Sequence, residues 1–191
     1  VKVGSNYENK KISGISHFIE HMLFEGTKKR TALEIGRIID RVGGELNAAT
    51  LNEKTFFYAS VLGKHFDIAL DILSDIVQNP LLDEKILNKE RRVILEEIKM
   101  YKDNPIIYQW ILFLKSLYTK HPVKNPIFGA EKSILAIKRN DLLEFYKEYY
   151  HPNNMSIIVV GDYPQNTVQK IKQMFANLNK NKKVQKPRIN E

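Results

Sequence analysis

Two histidines on either side of a glutamate form the most distinctive chemical pattern in this chain. His17 and His21 lie four residues apart, and Glu20 stands between them. Residues four apart on a helix share one face, so both imidazoles can reach a single ion. Imidazole nitrogens at about 2.0–2.1 Å are ordinary zinc ligands, and zinc can lower the pKa of a water to about 7. The spacing therefore predicts a zinc site in which Glu20 takes a proton from water as the general base.

The H-x-x-E-H spacing is the reverse of the commoner H-E-x-x-H and marks a separate group of metallopeptidases. A pattern this short also arises by chance. Two histidines on a half-buried helix can also simply hydrogen-bond to the backbone. The pentapeptide alone leaves both interpretations open.

A later segment places two carboxylates inside an otherwise apolar helical stripe. Burying an unpaired carboxylate costs several kcal/mol, and a zinc ion that already holds two histidines would compensate one. Helical phase selects Glu97, because Glu96 falls on the opposite side with Lys99. Two histidines and one glutamate leave a fourth position open, as catalytic zinc requires. The alternative is that both carboxylates pair with Arg or Lys from another helix. The stripe consists of Leu87, Glu90, Ile94, Glu97, Ile98 and Tyr101.

The elements that carry these residues follow from periodicity and capping signals. Thr31 and Glu34 form a capping-box pattern, Ser13 and Asp83 are suited to cap helices, and Asn52-Glu53 suits the turn of a β-hairpin. The order of elements predicts an α+β fold with a mostly antiparallel sheet packed against several helices. The predicted helices span about 14–25, 31–42, 65–78, 83–102, 106–118, 133–137, 141–150 and 168–178, and the predicted strands 1–5, 45–50, 54–62 and 155–161.

Composition restricts the remaining function classes. The 191 residues suffice for one well-buried core, and no apolar run approaches the roughly 18 residues that cross a bilayer. The chain opens on a strand-like VKVGS rather than on a signal peptide. The absence of cysteine excludes disulfides and thiolate chemistry and fits a reducing, cytoplasmic location. The net charge of +8 comes from scattered Lys and Arg, so we expect neither nucleic acid nor membrane as a partner.

Four collinear segments resemble the pitrilysin, insulysin and mitochondrial processing peptidase family of zinc peptidases. They are GISHFIEHMLFEGT, GGELNAATLNEKTFFYASVL, ERRVILEEIKMYKDNP and HPNNMSIIVVGD. The third of these segments resembles the helix that supplies the family's third ligand, 76 residues after the second histidine, and that ligand would here be Glu97. The resemblance thus implies the same ligand that helical phase selects.

The resemblance implies a role for each motif residue. His17, His21 and Glu97 would bind zinc, Glu20 would activate water, and Glu90 would be a second acidic residue that supports the site. The strand with Asn47, Ala48 and Ala49 would offer its edge to an extended peptide or unfolded polypeptide, by β-augmentation.

The family's enzymes close two halves around a chamber, and this chain resembles the first domain of the first half. We expect a catalytic domain over 1–179 that lacks its opening strand, and a basic linker over 180–191 that leads to another domain. The remaining domains or a partner subunit would complete the chamber. A non-catalytic structural or partner subunit is the alternative function, although such relatives usually lose motif residues. An S-ribosylhomocysteine lyase, which shares the motif, is rejected because its chemistry relies on a cysteine.

Overall fold

The computed structural model describes residues 1–176, 178, 181–182, 184–185 and 187. The chain forms an antiparallel hairpin and a set of helices, with short 3₁₀ turns between them. The elements are α1 (Ile15–Phe24), α2 (Ala32–Asp40), β1 (Glu45–Thr50), β2 (Thr55–Ser60), α3 (Phe66–Gln78), α4 (Glu84–Asp103), α5 (Pro105–Leu117), α6 (Glu131–Ala136), α7 (Arg139–Tyr149) and α8 (Thr167–Met174).

The hairpin lies where its sequence predicts it and packs against helices on both of its strands. Glu45 pairs with Ser60 at the open end, and Thr50 pairs with Thr55 next to the turn. Helix α1 contacts β1, and α3 contacts β2. This arrangement confirms the α+β class, although the described residues contain a sheet of two strands only.

Helix α1 lies at the centre of the core. It contacts α3, α4, α7 and both strands. Each fully buried aliphatic or aromatic side chain contributes about 1.5–3 kcal/mol, so this burial determines which face of α1 is turned inwards. The remaining face, at helical spacing, carries the two histidines and Glu20. The buried apolar side chains of α1 are Ile15, Phe18, Ile19, Met22 and Leu23.

A glutamate from outside the helix caps α1. The carboxylate of Glu8 accepts hydrogen bonds from the backbone N–H of Gly14 at 2.6 Å and of Ser16 at 2.9 Å. Gly14, the N-cap residue just before the helix, has φ 92°, a left-handed conformation, and a Cβ there would meet the carbonyl oxygen of Phe128 at 2.7 Å. The prediction that Ser13 caps this helix is therefore wrong.

Two predicted strands are absent from the described residues. Residues 155–160 have no regular secondary structure and pair with no strand among the described residues, and Ile158 is 83% and Val160 90% exposed. The prediction of a buried strand at 155–161 is wrong, because a strand needs a neighbouring strand for its hydrogen bonds. At the start of the chain, only Val1 pairs with β2, and Ser5–Tyr7 turn into a 3₁₀ helix.

The predicted domain boundary, between residues 179 and 180, lies outside the described residues. Much of the predicted linker over 180–191 lies outside the described residues, so the boundary stays a prediction. Within the described part of the chain, no helix is long and apolar enough to cross a membrane.

The cap on α1 makes stability depend on pH. Burial raises the pKa of Glu8 to about 7, although the bonds from Gly14 and Ser16 oppose the shift. A carboxyl whose pKa is higher in the folded state contributes stability below its unfolded pKa, and that contribution is lost as the pH rises to 7. We therefore expect the Tm difference between the wild type and Glu8→Gln to narrow by about 5 °C between pH 4.5 and 8.

Thermal unfolding of both proteins across this pH range measures the effect. The exposed Glu144 on α7 provides the matched control, since Glu144→Gln makes the same change at a carboxyl that does not cap α1. A gap for Glu8→Gln that stays constant or widens with pH would contradict the role of Glu8.

Candidate functional site

The packing of α1 on α4 brings the two histidines and Glu97 together. The Oε2 atom of Glu97 lies 3.6 Å from Nε2 of His17 and 3.5 Å from Nε2 of His21. One ligand atom from each residue lies within 4.8 Å of the others, and no second such group occurs among the described residues. Tetrahedral zinc with bonds of 2.0–2.2 Å separates its ligand atoms by about 3.4 Å. The three side chains therefore fit a zinc ion.

The two oxygens of Glu97 have different surroundings. Oε1 accepts a hydrogen bond from the hydroxyl of Tyr101 at 2.8 Å. Oε2 is buried and has no hydrogen-bond partner among the described residues. Glu96, by contrast, is 71% exposed in its side chain and pairs with Lys99 at 2.7 Å. The carboxylate that helical phase selects is the one that faces the histidines.

Glu90 lies next to His21, on the side of its Nδ1 atom. Nδ1 of His21 donates to Oε2 of Glu90 at 3.2 Å, and the Glu90 side chain is only 7% exposed. Lys89 lies 3.4 Å from the other oxygen of Glu90. The alternative that both stripe carboxylates pair with Arg or Lys from another helix does not hold, because their partners across the interface are the imidazoles of α1.

The two imidazoles differ in protonation even though they share a face. Burial, reinforced by the neighbouring His21, lowers the pKa of His17 to about 4. Burial also disfavours a charge on His21, but its hydrogen bond to Glu90 and the nearby carboxylate of Glu97 outweigh this effect and raise the pKa of His21 to about 9. Burial would raise the pKa of Glu97, but the histidines and the Tyr101 hydroxyl lower it to about 2. At neutral pH a metal ion would thus meet one neutral imidazole and displace a proton from the other.

Glu20 is held by a residue that the sequence analysis did not single out. The hydroxyl of Thr50, the last residue of β1, donates to Oε2 of Glu20. Burial raises the pKa of Glu20 above its usual value, and the Thr50 bond opposes the shift. The predicted hairpin places Thr50 on the same strand as the predicted substrate residues, but only the packing of β1 on α1 brings it to Glu20.

The outer edge of β1 has backbone groups that no other strand uses in the described part of the chain. The backbone N–H and C=O of Thr55 both bond to Val1. They therefore point away from Thr50, the residue that pairs with Thr55 across the hairpin. Pairs alternate along an antiparallel ladder, and the pair of Ala48 with Phe57 is therefore also turned outwards. The N–H of Ala48 bonds instead to the side chain of Asn47 at 2.8 Å. This is the edge that the sequence analysis expects to bind a peptide.

A cavity of about 500 Å³ opens over the cluster. Its floor consists of His17, His21, Glu20 and Glu97, and Ala48 and Ala49 of β1 lie along one side. The apolar walls of the cavity come from α5 and the loop at 123–128. No sequence pattern predicted that these segments would lie at the site. The wall residues are Ile107, Trp110, Ile111, Leu114, Val123, Pro126, Ile127 and Phe128.

Comparison with known proteins identifies the family. Residues 1–131 match the family described as Insulinase (Peptidase family M16), and residues 136–191 match the Peptidase M16 inactive domain. The chain belongs to the M16 peptidase family.

Relatives and solved structures agree with this assignment. The chain is 41% identical over 185 residues to an uncharacterized zinc protease of Rickettsia felis, and 38% identical over 177 residues to one of Bacillus subtilis. These alignments cover 95% and 93% of this chain but only 44% and 43% of the relatives. The chain thus spans less than half the length of the curated relatives it matches.

The fold matches a protease from Helicobacter pylori with a TM-score of 0.90 at 30% identity, over 98% of this chain and 46% of that one. It matches pitrilysin with a TM-score of 0.84 at 26% identity, over 100% of this chain and 21% of that one.

Proposed function

We propose that this chain is the zinc-bearing catalytic part of an endopeptidase that cleaves peptides or unfolded segments. The observation that carries the proposal is the cluster of His17, His21 and Glu97 beside Glu20, on the floor of a cavity flanked by an unpaired strand edge. The names of the relatives, which are called zinc proteases, support zinc as the metal.

His17, His21 and Glu97 would hold the metal. When bound, zinc would polarise the scissile carbonyl and lower the pKa of a water to about 7. Glu20 takes a proton from the attacking water while the oxygen of that water forms a bond to the carbonyl carbon. When the C–N bond breaks, Glu20 returns the proton to the leaving amine. Thr50 holds Oε2 of Glu20, which leaves the other oxygen for this transfer.

Glu90 is proposed to orient His21 rather than to touch the substrate. Its bond to Nδ1 leaves Nε2 of His21 directed at the cluster. A carboxylate in this position fixes the tautomer of a ligand histidine and increases its basicity.

A substrate would bind in extended form along β1. The outward C=O of Ala48, and its N–H once the Asn47 side chain releases it, would form main-chain hydrogen bonds with the peptide, with Asn47 and Ala49 on either side. The apolar walls of the cavity favour an apolar side chain near the scissile bond.

The working enzyme would be larger than this chain. The chain spans less than half of its curated relatives, so we infer that further domains or a partner subunit complete the chamber. The alternative, a non-catalytic subunit, finds no support at the site, because all four motif residues are present and three of them converge.

Glu20→Gln tests the general base. The variant should bind zinc as the wild type does, because Glu20 is not a ligand, but its kcat should fall by about 10²–10⁴-fold. Metal analysis after dialysis and cleavage of a fluorogenic peptide by the intact protein measure both properties. Normal turnover with a full complement of zinc would refute the assignment of Glu20.

Glu97→Gln tests the third ligand, with Glu96→Gln as the matched control on the same helix. Loss of the Glu97 carboxylate should weaken zinc binding by at least about tenfold. Loss of a residue that only hydrogen-bonds to a metal ligand already lowers metal affinity by about that factor. The exposed Glu96 should have no effect. Zinc content and competition with a chelator compare the two variants, and equal losses would show that the phase of α4 is wrong.

Ala48→Pro tests the strand edge. Proline removes the outward N–H of Ala48 but no hydrogen bond of the β1–β2 ladder, so the hairpin should persist. Loss of one main-chain hydrogen bond to the peptide should raise KM roughly tenfold. Ala48→Gly keeps the N–H and should retain the wild-type KM. A wild-type KM for Ala48→Pro would mean that peptides do not pair with this edge.

A further inference from the structure

Tyr101 touches the zinc-site cluster on one side and the cavity wall on the other. Its hydroxyl donates to Oε1 of Glu97 at 2.8 Å, one helical turn earlier on α4. Its ring stacks on Phe128, with ring centroids 4.9 Å apart and planes inclined by 19°. Both rings line the cavity. A flexible side-chain carboxylate is therefore tied to an aromatic pair with little freedom to move.

The loop that carries Phe128 is anchored on the helix that carries the histidines. The carbonyl oxygen of Phe128 is so close to Gly14 that a Cβ on Gly14 would meet it at 2.7 Å. A Cβ on Gly129 would meet the backbone oxygen of Ser13 at 2.3 Å. The hydroxyl of Ser133 also donates to that oxygen at 2.7 Å. The start of α1 and the loop are thus packed backbone against backbone.

These contacts connect the two helices that supply the predicted ligands. One end of the connection is the N-terminus of α1, which is packed against the loop through Gly14. The other end is Glu97 on α4, which is bound by Tyr101. Between them lies the stacked pair of Tyr101 and Phe128. Helices α1 and α4 also pack directly on each other.

We propose that Tyr101, held by Phe128, is a positioning residue that directs Oε2 of Glu97 at His17 and His21. Oε1 is occupied by the hydroxyl, so a single oxygen is presented to the metal. This inference rests on the proposed zinc site. Without the hydroxyl, the carboxylate can rotate about its terminal torsion, which is broad in glutamate. Outer partners of this kind are worth 10–100-fold in metal affinity.

Tyr101→Phe removes the hydroxyl and keeps the aromatic stack. Zinc affinity of the intact protein, measured by competition with a chromogenic chelator, should weaken by about 10–100-fold relative to the wild type. The metal-free Tm should stay close to that of the wild type. Tyr108→Phe on α5 is the matched control and should keep wild-type affinity, since Tyr108 is 40% exposed and does not line the cavity.

Replacing zinc with cobalt provides a second measurement. Its result would not change if Tyr101 had a purely structural role. The visible absorption bands of bound Co²⁺ report its ligand geometry, and they should shift in Tyr101→Phe but not in Tyr108→Phe. Phe128→Leu keeps the hydroxyl but loses the stack, so it should weaken zinc binding by less than Tyr101→Phe does.

The outcomes separate this inference from the proposed function. Wild-type zinc affinity and an unchanged cobalt spectrum in Tyr101→Phe would overturn the positioning role and leave the zinc site standing. A wild type that binds zinc no more tightly than Glu97→Gln would overturn the zinc site, and the positioning role with it. A lower metal-free Tm in Tyr101→Phe together with wild-type zinc affinity would also overturn it, since Tyr101 would then be structural only.

Discussion

The structure depends on the burial of two carboxylates of α4 against the imidazoles of α1. An unpaired carboxylate at either position would cost several kcal/mol, so the two helices are stable together only if each acid finds a partner. Glu90 pairs with His21, and Glu97 lies close to both histidines, with one oxygen that has no hydrogen-bond partner among the described residues. Helix α1 also fills the core with its apolar face. The burial of that face determines that the opposite face, which carries His17, Glu20 and His21, is turned towards the cavity.

The same pairing makes two chemically identical side chains behave differently. His17 is buried beside a second imidazole, so its neutral form is favoured. His21 bridges Glu90 and Glu97, so its charged form is favoured. Two imidazoles that both carried a charge at this distance would repel each other. The acids of α4 therefore favour a positive charge on His21 over one on His17.

The hairpin and the loops complete the site from the other side. Thr50 bonds to Glu20 from the strand whose edge is proposed to take the substrate, so peptide binding and proton transfer would be coupled within four residues of β1. Tyr101 and Phe128 line the same cavity as this strand. Family membership agrees with this arrangement, since the M16 match over residues 1–131 contains every residue of the cluster.

Patterns of short range were readable from the sequence alone. The shared face of His17 and His21, the phase that separates Glu97 from Glu96, and the hairpin around Asn52 depend on neighbours within about a turn or a strand, so periodicity and capping rules predict them. Contacts between distant segments were not readable in this way. The tertiary structure decided that Glu8 caps α1, that Thr50 bonds to Glu20 and that Tyr101 stacks on Phe128. It also decided that residues 155–160 pair with no strand among the described residues. Each of them depends on which segments pack together, and no local propensity contains that information.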